Sequence, residues 1–192
     1  MVRVIPYLLH RPTLELGASR EEVKQMQNIL NQRLREFDTA SSFPQNVAET
    51  GYFNQNTLVA VKYLQCLTFL PIDGIVGPKT WAFLCEGPAS LPRLHVGTAS
   101  SVVKAVQEAL RYAGYYFGTV DGIFQQKTAA AVKDFQVSCQ MTADGVINPQ
   151  TWKALIKLDA HAKYCYVNMI DSCYEKHEQA WLGKFSDVDC HN

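Results

Sequence analysis

Residues 51–65 read GYFNQNTLVAVKYLQ, and 71 positions later residues 122–136 read GIFQQKTAAAVKDFQ. Two further stretches flank this pair in the same order. Gly17 to Leu30 (GASREEVKQMQNIL) lies over Gly97 to Leu110 (GTASSVVKAVQEAL) at an offset of 80, pairing Val23 with Val103, Lys24 with Lys104, Gln27 with Gln107 and Leu30 with Leu110. Asp73 to Leu84 (DGIVGPKTWAFL) lies over Asp144 to Leu155 (DGVINPQTWKAL), again at 71. The change of offset is a single nine-residue insertion in the first copy, around Glu36 to Glu49. A chain that contains itself twice is read as a repeat first, because each copy is one supersecondary unit.

Each block reads as a short helix. Val23, Met26 and Leu30, like Val103, Val106 and Leu110, recur at helical spacing and give one apolar stripe per helix. The second block opens at Thr57 or Thr128 and continues one face through Ala60, Val61 and Leu64, or Ala131, Val132 and Phe135. The third opens with Gly77-Pro78 or Asn148-Pro149, which places proline at the first helical position, where its missing N–H costs nothing. Asp73-Gly74, Asp121-Gly122 and Asp144-Gly145 are turn chemistry between helices. The expected fold is all-α: two tandem three-helix repeats plus a C-terminal helix. The expected divisions are a lead over 1–13, repeat one over 14–87, a breaker-rich linker over 88–93, repeat two over 94–158 and an extension over 159–192. In that extension residues 160–183 could form one helix with Tyr164, Val167, Ile170 and Tyr174 along a face and Trp181 near its end.

Composition narrows the function classes. The 192 residues carry 18 Lys plus Arg against 18 Asp plus Glu. The balance also holds regionally, so the basic surplus that phosphate-backbone binding requires is missing and no nucleic-acid partner is expected. The longest apolar runs, such as Cys66 to Pro71, fall far short of the ~20 residues of a membrane helix, so no membrane span is expected. The first twelve residues lack the apolar core and cleavage site of a signal peptide, which leaves cytoplasmic retention and non-standard export both open. Six scattered cysteines do not settle the redox compartment.

The recurring string, Gly then Val…Gln…Leu, then Asp-Gly-x-Phe…Thr…Ala-Val…Phe-Gln, then Asp-Gly-x-x-x-Pro-x-Thr-Trp…Leu, resembles the three-helix peptidoglycan-binding domain of bacterial and phage cell-wall hydrolases. In the second copy the resemblance rests on Gly97, Val103, Gln107, Leu110, Asp121, Gly122, Phe124, Thr128, Phe135, Gln136, Asp144, Pro149 and Trp152. The first copy departs from it more. Thr50 stands where the turn aspartate belongs, Leu64 replaces the aromatic of Phe-Gln, and the insertion lies directly before that turn. Asn54 and Gln125 occupy places where the family usually has glycine.

The resemblance implies a non-catalytic module that binds peptidoglycan, through its glycan strand or peptide stem, in the cell wall or outside the cell, anchoring an envelope component or a hydrolase supplied in trans. An aromatic surface with a few fixed polar groups suits such a ligand. Tyr112, Tyr115, Tyr116 and Phe117 cluster ahead of Asp121-Gly122, and the expected groove is Tyr115, Tyr116, Asp121 and Gln125, with Asp144 at the facing turn. Tyr52, Asn54 and Asp73 are the corresponding residues of repeat one. Trp81, Trp152, Phe53, Phe124 and Phe135 read as core, and Gln107 and Gln136 as interior hydrogen-bonding struts.

No standard local catalytic signature is present, and neither catalytic residues, a metal nor a cofactor are expected. His161 with Cys165 and Cys173 with His177 share i, i+4 spacing, and Cys190 precedes His191, so zinc or a thiolate with a base is the competing reading of the extension. A Cys165–Cys173 disulfide is disfavoured in a continuous helix, where eight residues rise ~12 Å and bridged Cα atoms need under ~7 Å. Two alternatives to a wall-binding module stay open: a wall amidase, peptidase or lysozyme with its chemistry in the extension, and an intracellular interaction scaffold reusing the fold.

Overall fold

The computed structural model describes residues 11–37 and 46–174, with side chains of the last helix up to Val167. Among the described residues seven α-helices follow in order: α1 Glu21–Phe37, α2 Gln55–Leu67, α3 Pro78–Glu86, α4 Ser101–Tyr112, α5 Gln126–Ser138, α6 Pro149–Ile156 and α7 Asp159–Tyr174. The fold is all-α, two three-helix repeats (α1–α3 and α4–α6) followed by a C-terminal helix. The helices start where local chemistry satisfies their first N–H groups. Ser100 Oγ accepts from Val103 N, Asn54 Oδ1 from Thr57 N, and Asn148 Oδ1 from the N–H groups of Gln150 and Thr151. Pro78 and Pro149 stand at the first turn, as expected. The second helix of each repeat starts two residues earlier than its threonine suggests, at Gln55 and Gln126.

Those threonines have a different task, which exposes a finer repeat inside each copy. The string Val-Lys-x-x-Gln occurs four times, at Val23–Gln27, Val61–Gln65, Val103–Gln107 and Val132–Gln136. Every one of these glutamines is buried and clamps a glycine turn. Its Oε1 accepts from the N–H of Gly51 (3.0 Å), Gly74 (2.8 Å), Gly122 (2.8 Å) or Gly145 (2.9 Å). Its Nε2 donates to the next carbonyl, of Tyr52, Ile75, Ile123 or Val146. Nε2 also donates to the hydroxyl of the threonine six residues beyond the glycine: Thr57, Thr80, Thr128 or Thr151. The four glycines share a φ of +74° to +75°, the left-handed region open to a residue without Cβ. Each three-helix repeat is therefore two overlapping helix–turn–helix halves that share the middle helix.

The remainder of each core follows the same template. Trp81 and Trp152 are buried and donate Nε1–H to the Pro12 and Pro92 carbonyls at 2.9 and 2.8 Å, tying the third helix to the segment before the first. Single antiparallel bridges join Leu14 to Val76 and Ser19 to Tyr52 in repeat one, and Leu94 to Ile147 and Ala99 to Ile123 in repeat two. Phe53, Phe124 and Phe135 are core, as read from the stripes. The inserted residues are partly described: α1 runs to Phe37, and Asn31 pairs its amide with both backbone groups of Val47, each at 2.9 Å.

The two copies differ where they meet. Tyr63, Cys66, Leu67 and Phe69 of repeat one are buried, whereas their counterparts in repeat two, Asp134, Val137, Ser138 and Gln140, are exposed. The apolar set is covered by α7, which packs against α2, α4 and α6. Phe69 takes a φ of +59°, sparsely populated for a bulky residue, and its ring stacks on His161 at 4.3 Å and meets Trp152 at 5.3 Å. One turn further along α7, Cys165 is joined to Cys66 by a disulfide with Cα atoms 5.7 Å apart. The reading of His161 with Cys165 as a zinc pair or an activated thiolate is thereby corrected, since a disulfide sulfur is neither. Side chains of Cys173, His177, Cys190 and His191 lie outside the described residues, as does the continuation of the C-terminal helix to residue 183.

His161 is buried in this seam, with Nε2 3.1 Å from the Cys66 carbonyl, to which it donates, and 3.7 Å from Cys165 Sγ. Burial pushes its pKa down from 6.5 to about 4, against the pull of the Cys66 and Leu67 carbonyls. The folded state therefore holds the ring neutral while the unfolded chain takes up a proton. The resulting stabilisation is complete above pH 6.5 and is lost as pH falls from 6.5 towards 4. The loss reaches up to about 3 kcal/mol. Denaturant midpoints measured across that window are expected to fall for the native chain and to fall by less for His161→Phe, in which the carboxylates but not this ring remain to titrate.

Candidate ligand surface

The clamped turns place carboxylates on the surface with their charge secured. Asp121 and Asp144 each use Oδ1 to accept from the clamping glutamine and from the N–H two residues on, Ile123 or Val146. These bonds hold both carboxyls below the usual range. For Asp121 the Gln107 bond leads, followed by the Ile123 N–H; for Asp144 the Val146 N–H leads, then Gln136, with Arg93 adding its positive field. Asp73 has the same contacts with Gln65 and Ile75. Thr50 replaces the aspartate in the first turn, its Oγ1 accepting from Tyr52 N at 3.2 Å. The geometry of the turn survives there without the charge.

Of the residues expected to form one groove, the structure brings some together and separates others. Gln125 Nε2 lies 3.4 Å from Asp121 Oδ2, so these two form a pair beside the N-terminus of α5. Tyr115 is half-buried at the other end of that helix, where its ring meets Phe135 edge-on and its hydroxyl donates to Ser138 Oγ at 2.8 Å. From Gln125 to Ser138 is thirteen residue steps along α5, about 20 Å. Asp144, held by Gln136, belongs with the Tyr115 end. Repeat one shows the same division, with Tyr52 and Asn54 before α2 and Asp73 held by Gln65 near the C-terminus of that helix. Asn54 moreover spends its Oδ1 on capping α2.

Tyr116 requires a correction. Only 4% of it is exposed, its hydroxyl donates to the Thr119 carbonyl at 2.6 Å, and that oxygen accepts from Gln107 Nε2 at 3.3 Å. It is a core residue that closes the loop after α4 onto the clamping glutamine, and it is not part of a groove. Phe117 next to it is 89% exposed.

The surface beside Asp121 and Gln125, like its counterpart in repeat one, has an apolar component of which the sequence named only Tyr52. Val96 and Ile123 are exposed there, and Leu16 and Tyr52 are exposed at the equivalent positions of repeat one. Hydrogen bonds from Gly97 N to the Phe124 carbonyl and from Gly17 N to the Phe53 carbonyl hold the two loops of each pair together. The signal was present as an apolar residue directly before the first glycine and directly after the turn glycine in both copies: Leu16-Gly17 and Gly51-Tyr52, Val96-Gly97 and Gly122-Ile123.

Comparison with known proteins decides what this architecture is. The family model for the peptidoglycan binding domain matches residues 19–84 and again residues 99–155. The chain belongs to that family. Its two peptidoglycan binding domains coincide with the α1–α3 and α4–α6 repeats, and α7 lies outside both matches. Among curated relatives, a probable N-acetylmuramoyl-L-alanine amidase of Bacillus licheniformis is 31% identical over 165 residues, covering 76% of this chain and 45% of that protein. The N-acetylmuramoyl-L-alanine amidase CwlL of the same species is 33% identical over 171 residues, covering 75% and 45%. A spore cortex-lytic enzyme of Bacillus cereus is 33% identical over 67 residues, covering 35% and 26%. The chain thus spans less than half the length of these relatives. No solved structure matches it. Among the described residues no helix is long and apolar enough to cross a membrane.

Proposed function

We propose that this chain is a non-catalytic peptidoglycan-binding unit that holds a lytic or envelope component at the cell wall through two equivalent surfaces. The observation that carries the reading is the recurrence, in two domains of one family, of the same exposed apolar pair beside a clamped turn: Leu16 and Tyr52, then Val96 and Ile123. Core packing makes no demand for apolar side chains at exposed sites. Asp121 and Gln125 add a fixed anion and an amide to the second surface, while Asn54 and Thr50 leave the first uncharged. Tyr115, Asp144 and Asp73 form a separate polar set at the other end of the middle helices and are secondary candidates. The amidase relatives support a lytic partner, and the Cys66–Cys165 disulfide supports an oxidising location outside the cytoplasm.

Two surfaces on one chain raise retention through effective concentration, by ~10²- to 10⁴-fold over one alone. Co-sedimentation with purified wall tests this. Tyr52→Ser and Ile123→Ser are each expected to weaken retention at least tenfold by forfeiting part of that gain, and the double variant to lose more than either does singly. Thermal midpoints should hold because the altered sites are on the surface. Undiminished retention of the double variant would overturn the assignment of the surface, and failure of the native chain to sediment would overturn wall binding itself.

A further inference from the structure

One cluster of aromatic and charged side chains, Arg111 and Tyr112 exposed and Glu108 and Tyr164 half-buried, belongs to neither of those surfaces. Tyr112, the last residue of α4, is 53% exposed although one face of its ring stacks on Tyr164 of α7 at 5.1 Å, with the planes 27° apart. The Arg111 guanidinium lies over the Tyr112 ring, 5.6 Å from its centroid, on an exposed side chain that a ligand can displace. Glu108, one turn back on α4, is near enough to Tyr164 to raise that phenol's pKa, second only to burial. The equivalents of Glu108, Arg111 and Tyr112 in repeat one are Asn28, Asn31 and Gln32, and Asn28 and Asn31 are engaged with the insertion at Glu49 and Val47. The cluster is therefore particular to repeat two, and Tyr164 completes it from a helix that neither family match covers.

We infer that Glu108, Arg111, Tyr112 and Tyr164 form a binding platform for an N-acetylated amino sugar at the junction of α4 and α7. A pyranose presents a face of C–H groups that packs on an aromatic ring, and an exposed tyrosine offers that ring with only two torsions to freeze. The guanidinium beside it donates to an acetamido carbonyl, and the carboxylate accepts from ring hydroxyls. This deepens the wall-binding reading by assigning contact with the glycan strand to the platform, distinct from the loop surfaces of the two repeats.

The test uses the full chain and three soluble probes: chitotetraose, cellotetraose and a stem tetrapeptide without sugar. Chitotetraose is expected to bind and to shift Tyr112 and Tyr164 ring signals in NMR spectra, cellotetraose to bind at least several-fold more weakly for want of the acetamido group, and the tetrapeptide to leave those signals unmoved. Tyr112→Ala should lower chitotetraose affinity at least tenfold, Tyr112→Phe should retain it, and Arg111→Gln should narrow the preference for chitotetraose over cellotetraose. Thermal midpoints of the variants report whether the fold is intact, so affinity lost by Tyr112→Ala at an unchanged midpoint is loss of the platform itself. Equal affinity of Tyr112→Ala and the native chain overturns the platform. If the chain sediments with wall but ignores chitotetraose, the platform fails and wall binding stands. If it binds chitotetraose but does not sediment, the platform stands and the wall reading fails.

Discussion

Replacing both members of the Cys66–Cys165 bridge with alanine is expected to lower stability by about 4–5 kcal/mol. The bridge joins residues 99 positions apart. For a loop of about 100 residues, the chain-entropy model assigns ~4.7 kcal/mol to the freedom removed from the unfolded state. A chain of this length shifts its thermal midpoint by roughly 2–4 °C per kcal/mol, so the double variant should melt roughly 8–20 °C lower. The effect is not confined to the unfolded state. Cys66 is in α2 and Cys165 in α7, so the bridge fastens the extension to repeat one while the rings of Tyr112 and Tyr164 fasten it to repeat two. Without the bridge, amide protons of α7 should exchange faster than those of α5, and the two repeats should hinge. Both sulfurs are buried, so the native bridge should resist a dithiol in buffer and yield to it in denaturant. Unchanged melting of the alanine variant would show that the pairing contributes nothing to the fold, and a non-reducing digest would show directly whether Cys66 and Cys165 are joined.

Much of this architecture was legible in the sequence because duplication supplies its own control. A position apolar in both copies, such as Val23 with Val103 or Trp81 with Trp152, is set by the core they share, and all four are buried. Gln107 and Gln136 could be read as struts for the same reason. The finer half-repeat is also written in the four Val-Lys-x-x-Gln strings, but the distance from glutamine to turn glycine varies between 9 and 24 residues and hides the period. The seam between repeats was not legible. It joins non-equivalent faces, and its only trace is a set of mismatches, Tyr63 against Asp134 and Phe69 against Gln140, which look like divergence until α7 is seen to cover one side. The disulfide was beyond reach for a related reason: six cysteines allow fifteen complete pairings, and no local spacing selects a bridge across 99 residues. Within the site, Asp121 and Gln125 were found together because four residues at a helix start keep them adjacent. Tyr116 was misplaced because a loop tyrosine next to another tyrosine gives no sign of which one turns inward. The deciding partners, Gln107 and the Thr119 carbonyl, come from the helix before it and the loop after it.

Trp152→Ala is expected to cost ~3–5 kcal/mol as a core truncation, and its consequences should spread further than those of the equivalent Trp81→Ala. Both indoles are almost wholly buried and both donate to a proline carbonyl, so the loss within each repeat is comparable. Their outer neighbours differ. Trp81 faces the Arg11 guanidinium at 4.3 Å, a contact with the segment ahead of repeat one, whereas Trp152 meets Phe69 of the other repeat at 5.3 Å. Phe69 is held at positive φ, a conformation that costs of order 1–3 kcal/mol for a bulky residue and persists only while its surroundings enforce it. Among the described residues, Trp152 and His161 are the two rings against it. With the indole gone, the backbone around Phe69 is free to relax, and the stack on His161 loses its support. Hydrogen exchange should then rise in α6, in the Thr68–Leu70 turn and in α7 for Trp152→Ala, and stay confined to α3 and the residues ahead of α1 for Trp81→Ala. Equal spread in the two variants would mean that the repeats unfold independently and that the Phe69 wedge carries no load between them.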